Sequence, residues 1–403
     1  MSEGLEPGAS ETGLPGLSSL LYDRVGGALV PLAATVLAFL IGGLVVLITG
    51  HNPVTAYKAI FDGTGFNWVF PWVTGDERVR AAKDLQDTLR IATPLMLTAI
   101  AVAFAFRSGL FNIGGQGQYW VGFLASLWVG THLHGTARPL HVVLGITAGI
   151  LGGMVWGGIA GVLRATVGAH EVITTIMLNW VAIFGGQYLV ELGGPLQGSN
   201  PSLPRSDLID GSARFWVFWA NPAEHIQGMH IGILLAIAGL AVYFLILNRT
   251  TLGFAIRAVG FNPEAARYSG MPVRRSYFLA LAIAGAFAGL AGAVDVLGYK
   301  YAVDASDFAS GVAFTCIAVA LLGRNKPIGI FFAALLFAGL QTGTSSRHLD
   351  PEIFEPALAS DLSTMIQALV IFFVGADLLI LYIWRLRRHL RLHPAPKEEP
   401  APL

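Results

Sequence analysis

The stretch GLFNIGGQGQ, residues Gly109 to Gln118, lies between two strongly apolar runs. It packs an asparagine, two glutamines and four glycines into a region whose neighbours read as membrane helix. Irregular backbone at membrane depth is tolerated only where protein or a water-filled cavity covers it. The segment therefore predicts a broken helix within a membrane protein. Two readings of its amides are open. Asn112, Gln116 and Gln118 either cap the break against neighbouring backbone, Asn112 most of all because it sits at the turn, or they line a path. Amides donate and accept hydrogen bonds without bearing charge, which suits a neutral hydroxyl- or amide-bearing solute rather than an ion.

The composition agrees. Of 403 residues, 54% are hydrophobic and 12% charged, where soluble domains carry about 25% charged residues. A net charge of zero argues against nucleic acid as a partner. The single cysteine, Cys316, excludes a disulfide framework within the chain and a Cys-based zinc site. Residues 1–24 are Gly/Ser-rich and lack a basic leader, so they read as a disordered cytoplasmic tail. The apolar run after them, Val25–Thr49, is too long for a signal peptide and reads as a permanent first span. Residues 25–384 form the membrane domain, and 385–403 a basic, then proline-rich, cytoplasmic tail.

Apolar segments able to cross about 30 Å of hydrocarbon follow near Ile91–Phe106, Leu110–Gly130, Pro139–Leu163, Val172–Leu192, Ile231–Leu247, Tyr277–Leu297, Gly311–Gly323, Pro327–Gly343 and Leu362–Trp384. The expected fold is an all-α polytopic bundle of about ten segments. Gly311–Gly323 is too short for an ordinary span and is either extended by the residues before it or re-entrant. Basic residues set the orientation. The loop 248–276 carries Arg249, Arg257, Arg267, Arg274 and Arg275 against the single carboxylate Glu264, while Asp76, Glu77, Asp84, Asp87, Asp207 and Asp210 gather on the other side. Both termini are thus expected inside. Five spans separate the second from the seventh, so matching halves would form an inverted repeat, a common transporter device.

Glycines pattern two spans. Gly145, Gly149, Gly153, Gly157 and Gly161 recur at steps of four in one, and Gly285, Gly289 and Gly292 occupy another. Such rows let backbones approach closely, which predicts tight packing within the subunit ahead of a substrate path. In HEVITTIMLNW, Thr175 and Asn179 are four apart and share a helix face. They line the same path as the glutamines, or the threonine bonds back to its own helix.

The loop RTTLGFAIRAVGFNPEAARYSGMPVRRS has helical spacing from Leu252 to Val259. Asn262 as N-cap and Pro263 at the first helical position predict a second short helix stopping at Gly270. Two short helices on the inner face form a docking surface for a partner. Enzyme signatures are missing: there is no Gly-Lys dipeptide for a P-loop, no HExxH and no GxSxG. No catalytic or metal-binding residue is assigned, and any ATP must be bound by another chain.

These segments together resemble a family. RSGLFNIGGQGQYWVGFLASL is similar to a signature of permease subunits from bacterial ABC importers for nucleosides and simple sugars, as are HEVITTIMLNWVA and GVAFTCIAVALLGRNKPIG. TTLGFAIRAVGFNPEAARYSGM resembles their cytoplasmic coupling segment, in which Glu264, Ala265, Ala266 and Gly270 match the EAA-x-x-x-G element that docks the ATPase. The matches run in order from about Thr88 to Gly343 and resemble the larger of two nucleoside permeases. Gln116 stands where the family has an acidic residue and His170 where it has an asparagine.

The resemblance implies a type II importer permease in the bacterial inner membrane, embedded in lipid. Its partners would be a second permease, ATPase subunits holding ATP and Mg²⁺, and an extracytoplasmic substrate-binding protein. Asn112, Gln116, Gln118, Thr175 and Asn179 become the expected translocation path. Arg257, Gly260, Glu264, Ala265, Ala266 and Gly270 become the expected coupling element. Glu264 would pair with the ATPase, Gly270 would let the helix stop against it, and Arg257 would hold the loop. The alternatives are a sugar or branched-chain amino acid permease of the same class, or an ion-coupled secondary transporter. The last requires carboxylates within the membrane, for which only Asp295 and Asp377 qualify.

Overall fold

The computed structural model describes the backbone of residues 17–309, 313–345 and 356–375, and side chains over 31–309, 315–345 and 358–375. The tail at 385–403, Asp377 and the start of the Gly311–Gly323 segment lie outside the described residues. In chain order the helices are α1 (Leu17–Ile48), α2 (Pro53–Gly63), α3 (Gly75–Phe106), α4 (Gly115–His132), α5 (Arg138–Val167), α6 (Glu171–Val190) and α7 (Gly232–Arg249). They continue with α8 (Thr251–Phe261), α9 (Pro263–Tyr268), α10 (Val273–Asp295), α11 (Ala313–Leu322), α12 (Pro327–Gly343) and α13 (Pro356–Gly375). Helix α1 starts at Leu17, eight residues before the expected boundary of its span.

Seven described helices are long and apolar enough to cross a membrane: α1, α3, α5, α6, α7, α10 and α13. The other three expected spans correspond to α4, α11 and α12, of 18, 10 and 17 residues. At 1.5 Å per residue, α11 covers only about 15 Å. Helix α4 reaches about 27 Å, close to the hydrocarbon thickness. The break lies directly before its first turn.

Helices α3 and α10 are the most enclosed of the seven and form the centre of the bundle. Around them α1, α6 and α13 form the rim, with leucines, Met177, Trp180 and Phe184 exposed as suits contact with lipid or a second subunit. The glycine rows of α5 and α10 meet as the spacing predicts. A Cβ on Gly153 would lie 2.2 Å from the Gly285 carbonyl oxygen, and one on Gly289 would lie 2.2 Å from that of Gly149. Helix α4 joins at the same level, where a Cβ on Gly122 would lie 2.4 Å from the Gly289 Cα. No side chain fits at these crossings, so the helices are held by backbone contact.

On the face opposite α8 and α9, the segment between α6 and α7 lies across the bundle. It carries a small hairpin, β1 (Val217–Phe218) against β2 (Met229–His230). Its amides bond the π-helical turn that continues α10 (Val296–Lys300) and the residue after it: Phe215 N–H to the Leu297 oxygen and Ile209 N–H to the Tyr301 oxygen. From α3, Gln86 clamps the hairpin by donating to the Trp219 carbonyl and accepting from the Gly228 N–H, both at 3.0 Å. His230 is buried there, its Nδ1 accepting from the Gly232 N–H. Burial, and after it the charge of Arg90, holds the imidazole down at about 4.

Candidate functional site

The break begins with a glycine-ended helix. Leu110 N–H returns to the Ala105 oxygen and Gly109 N–H to the Phe106 oxygen, with Gly109 left-handed at φ 73°. That pairing satisfies the last carbonyls of α3. Asn112 then forms a reciprocal amide pair with Gln118: its Nδ2 donates to Gln118 Oε1 at 3.0 Å, and Gln118 Nε2 donates back to Asn112 Oδ1 at 3.2 Å. The same Oδ1 accepts the Gly114 N–H.

Asn179 completes the arrangement from α6. Its Oδ1 accepts the Gly117 N–H at 2.8 Å, one of the orphan donors in the first turn of α4. Its Nδ2 donates to the Ile113 carbonyl at 2.9 Å. One amide thus holds both sides of the break. Thr175, a turn away, bonds back to the Val172 carbonyl and sets its Cβ against Gly114. Gln116 is buried in the first turn of α4. The five expected path residues therefore lie together, and in this conformation Asn112, Gln118 and Asn179 are satisfied by protein groups.

Sequence reasoning missed Trp156 of α5. Its Nε1 approaches within 3.0 Å of where a Gly117 Cβ would sit, and this buried indole N–H has no hydrogen-bond partner. A tryptophan between Gly153 and Gly157, in a helix that otherwise presents glycine to its neighbours, was the available signal. Asp295 is partly buried at the far end of α10, hydrogen-bonded by the Tyr119 hydroxyl and 3.9 Å from Lys300 Nζ.

The loop helices form as the capping residues dictate. Thr250 caps α8 by accepting the Gly253 N–H. Asn262 Oδ1 accepts the Glu264 and Ala265 N–H groups at 3.0 Å each, and Pro263 opens α9. Gly270, at φ 80°, ends it, with Met271 N–H returning to the Ala266 oxygen. Ala266 packs with Val259 and Val273 in a small core of its own. Ala265 and Glu264 face outward, with Glu264 paired to Arg267 on the surface. Phe261 and Tyr268 stand 90% and 97% exposed on either side, a concentration of aromatic surface typical of interface anchors. Arg257 is half-buried, its Nε directed at the Gly253 carbonyl.

The two parts touch through glycine. A Cβ on Gly260 would lie 2.3 Å from the Arg107 oxygen, and one on Gly109 would lie 3.2 Å from the Gly260 oxygen. The end of α8 is thus pressed backbone to backbone against the start of the amide-held break. Arg107 continues the connection by donating to the Asn325 carbonyl in the α11–α12 turn at 3.1 Å.

A multi-pass helical bundle with a capped helix pair seated on a polar break is the architecture of a membrane permease. The chain belongs to the family described as "Branched-chain amino acid transport system / permease component", which matches residues 85–375. It is 36% identical to the guanosine ABC transporter permease protein NupP of Bacillus subtilis (strain 168) over 90% of this chain and 97% of that one. It is 34% identical to the nucleoside ABC transporter permease protein NupB of Lactococcus lactis subsp. cremoris (strain MG1363), over 89% and 94%. The glucose ABC transporter permease protein TsgB13 of Haloferax volcanii is 33% identical over 85% and 86%. No solved structure gives a significant match.

Proposed function

We propose that this chain is the membrane permease of an ATP-driven importer and that its solute is a nucleoside. One observation carries the mechanism: the α8–α9 pair exposes Phe261, Glu264 and Tyr268 on its outer side while its inner side meets the break through Gly260 and Gly109. A partner ATPase, which holds ATP and Mg²⁺, would grip the exposed side. Its movement would reach the Asn112–Gln118–Asn179 amides without passing through flexible side chains. Repartnering of those amides, together with the free indole N–H of Trp156, would offer donors and acceptors to a neutral solute. This chain itself performs no chemistry.

In this reading the α8–α9 face is cytoplasmic, both termini lie on that side, and α4, α11 and α12 complete about ten membrane segments. The breaks before α4 and α11 would be counterparts in an inverted repeat. A second permease, a substrate-binding protein on the far side and the bacterial inner membrane complete the assembly. A simple sugar is the second reading, supported by the identity to the glucose permease. The two longer matches to nucleoside and guanosine permeases support the nucleoside over it.

The test is purification of the tagged chain from its native membranes in mild detergent, followed by reconstitution with whatever accompanies it. Stoichiometric ATPase and second permease, with ATP-dependent uptake of labelled guanosine, are the expected result. Uptake by the chain alone without ATP would overturn the class. ATP-dependent uptake of glucose without guanosine would overturn the solute.

A further inference from the structure

On the α8–α9 face, a cavity of about 900 Å³ opens between α7, the α11–α12 turn and α12. Its walls are mostly apolar, with Phe244 and Phe332 43% and 63% exposed. Its polar lining gathers four cations, Arg107, Arg257, Arg324 and Lys326, and no lining residue is a carboxylate. The turn that presents two of these cations is held in an uncommon conformation: Arg324 and Asn325 are consecutive non-glycine residues at φ 51° and 53°. Asn325 also lines the cavity, and its Oδ1 is buried with no hydrogen-bond donor. A second cavity, about 610 Å³ between α1, α2 and α12, has no charged lining residue.

We propose that the first cavity binds an anionic phospholipid with a hydroxyl-bearing headgroup, of the phosphatidylglycerol kind. The phosphate would meet the cations, a headgroup hydroxyl would donate to Asn325 Oδ1, and an acyl chain would lie along Phe244 and Phe332. Basic pockets between membrane helices on the cytoplasmic side favour such headgroups. The second cavity has the apolar walls without the charges and offers no basis for headgroup selection. The proposal rests on the orientation given above only for the leaflet involved. Because Arg107 caps the end of α3 at the break, with its carbonyl against Gly260, and Arg257 belongs to α8 itself, the lipid would sit where it stiffens the connection between them.

The test uses the assembled transporter in nanodiscs of phosphatidylcholine with graded phosphatidylglycerol, followed by native mass spectrometry of the lipid retained in detergent. Wild type should retain phosphatidylglycerol in preference to phosphatidylcholine. Each of Arg324→Gln and Lys326→Gln should weaken that retention about fivefold. Arg249→Gln and Arg275→Gln, exposed on the same face but outside the cavity, should leave it unchanged. Phe332→Trp, which narrows the cavity without altering charge, should also lower retention. Equal loss in the Arg249 and Arg275 variants would mean diffuse attraction and overturn the site, as would retention unaffected by every change inside the cavity. Crosslinking of Ile328→Cys to a second subunit in the assembled transporter would show a protein occupant and overturn it too. None of these outcomes depends on which solute is carried.

Discussion

Gly260, in the last turn of α8, lies against the backbone of Gly109, in the break between α3 and α4, with no side chain between them. The helix turn that leads into the docking helix is thereby in direct mechanical contact with the segment that carries the amides. Even a methyl group at Gly260 would collide with the Arg107 carbonyl 2.3 Å away. We expect Gly260→Ala to force the two segments apart and to lower solute-stimulated ATP hydrolysis several-fold, leaving basal hydrolysis by the partner in place. Measurement of both rates on the reconstituted complex checks this, and unchanged stimulation would remove the contact from the coupling route.

Glu264→Arg tests the docking side. Glu264 is 78% exposed and its pair with Arg267 is a surface one, worth about 0–1 kcal/mol. The melting temperature of the permease should barely move while co-purification of the ATPase is lost. A variant that still brings the ATPase down at full yield removes Glu264 from the interface.

Asn179→Leu removes the acceptor of the Gly117 N–H and the donor to the Ile113 carbonyl. Leaving buried polar groups unpaired costs about 1–3 kcal/mol each, so the variant should unfold at a clearly lower temperature. Asn179→Asp keeps the acceptor and should fall between. Thermal unfolding in one detergent ranks the three, and equal stability would mean that water takes over the role.

Trp156→Phe leaves the packing nearly intact and deletes an N–H that has no protein partner. Stability should hold. If the indole donates to solute, KM for uptake should rise about fivefold, the worth of one net hydrogen bond. Uptake kinetics showing an unaltered KM would make the indole a packing group only.

The hairpin over the far face should loosen in acid. His230 titrates at about 4 where it is buried, against about 6.5 when free. A depressed value means that the unfolded segment binds more protons between those limits, so stability is lost as pH falls from 6.5 towards 4. By pH 5 the loss should be on the order of 1–2 kcal/mol. Hydrogen exchange of residues 217–230 at pH 7 and pH 5 reads it directly, and His230→Gln should flatten the difference.

Much of this was legible in the residues. The caps of α9 follow from Asn262, Pro263 and Gly270 because local hydrogen bonds decide them. The α5–α10 crossing follows from glycines at steps of four because only a second backbone fits such a row. The amides were harder. Asn179 and Gly117 are 62 positions apart, and no pattern announces that one side chain will hold another helix's first turn. Trp156 was missed because its unpaired N–H is a property of the packed neighbourhood and not of spacing. The contact of the break with Gly260 was equally hidden, because Gly109 and Gly260 are far apart in the chain and no spacing joins them.

The glycine rows of α5 and α10 also restrict what transport can do to the molecule. With backbones in contact, each glycine is a notch, and a slip of one residue would bring an adjacent side chain such as Ile150 or Met154 towards the notch's place. The next position at which small residues again face one another is four residues away, about 6 Å along the axis. Any displacement smaller than that must carry both helices together, as a single beam, and the opening and closing of the path must be assigned to what turns around it.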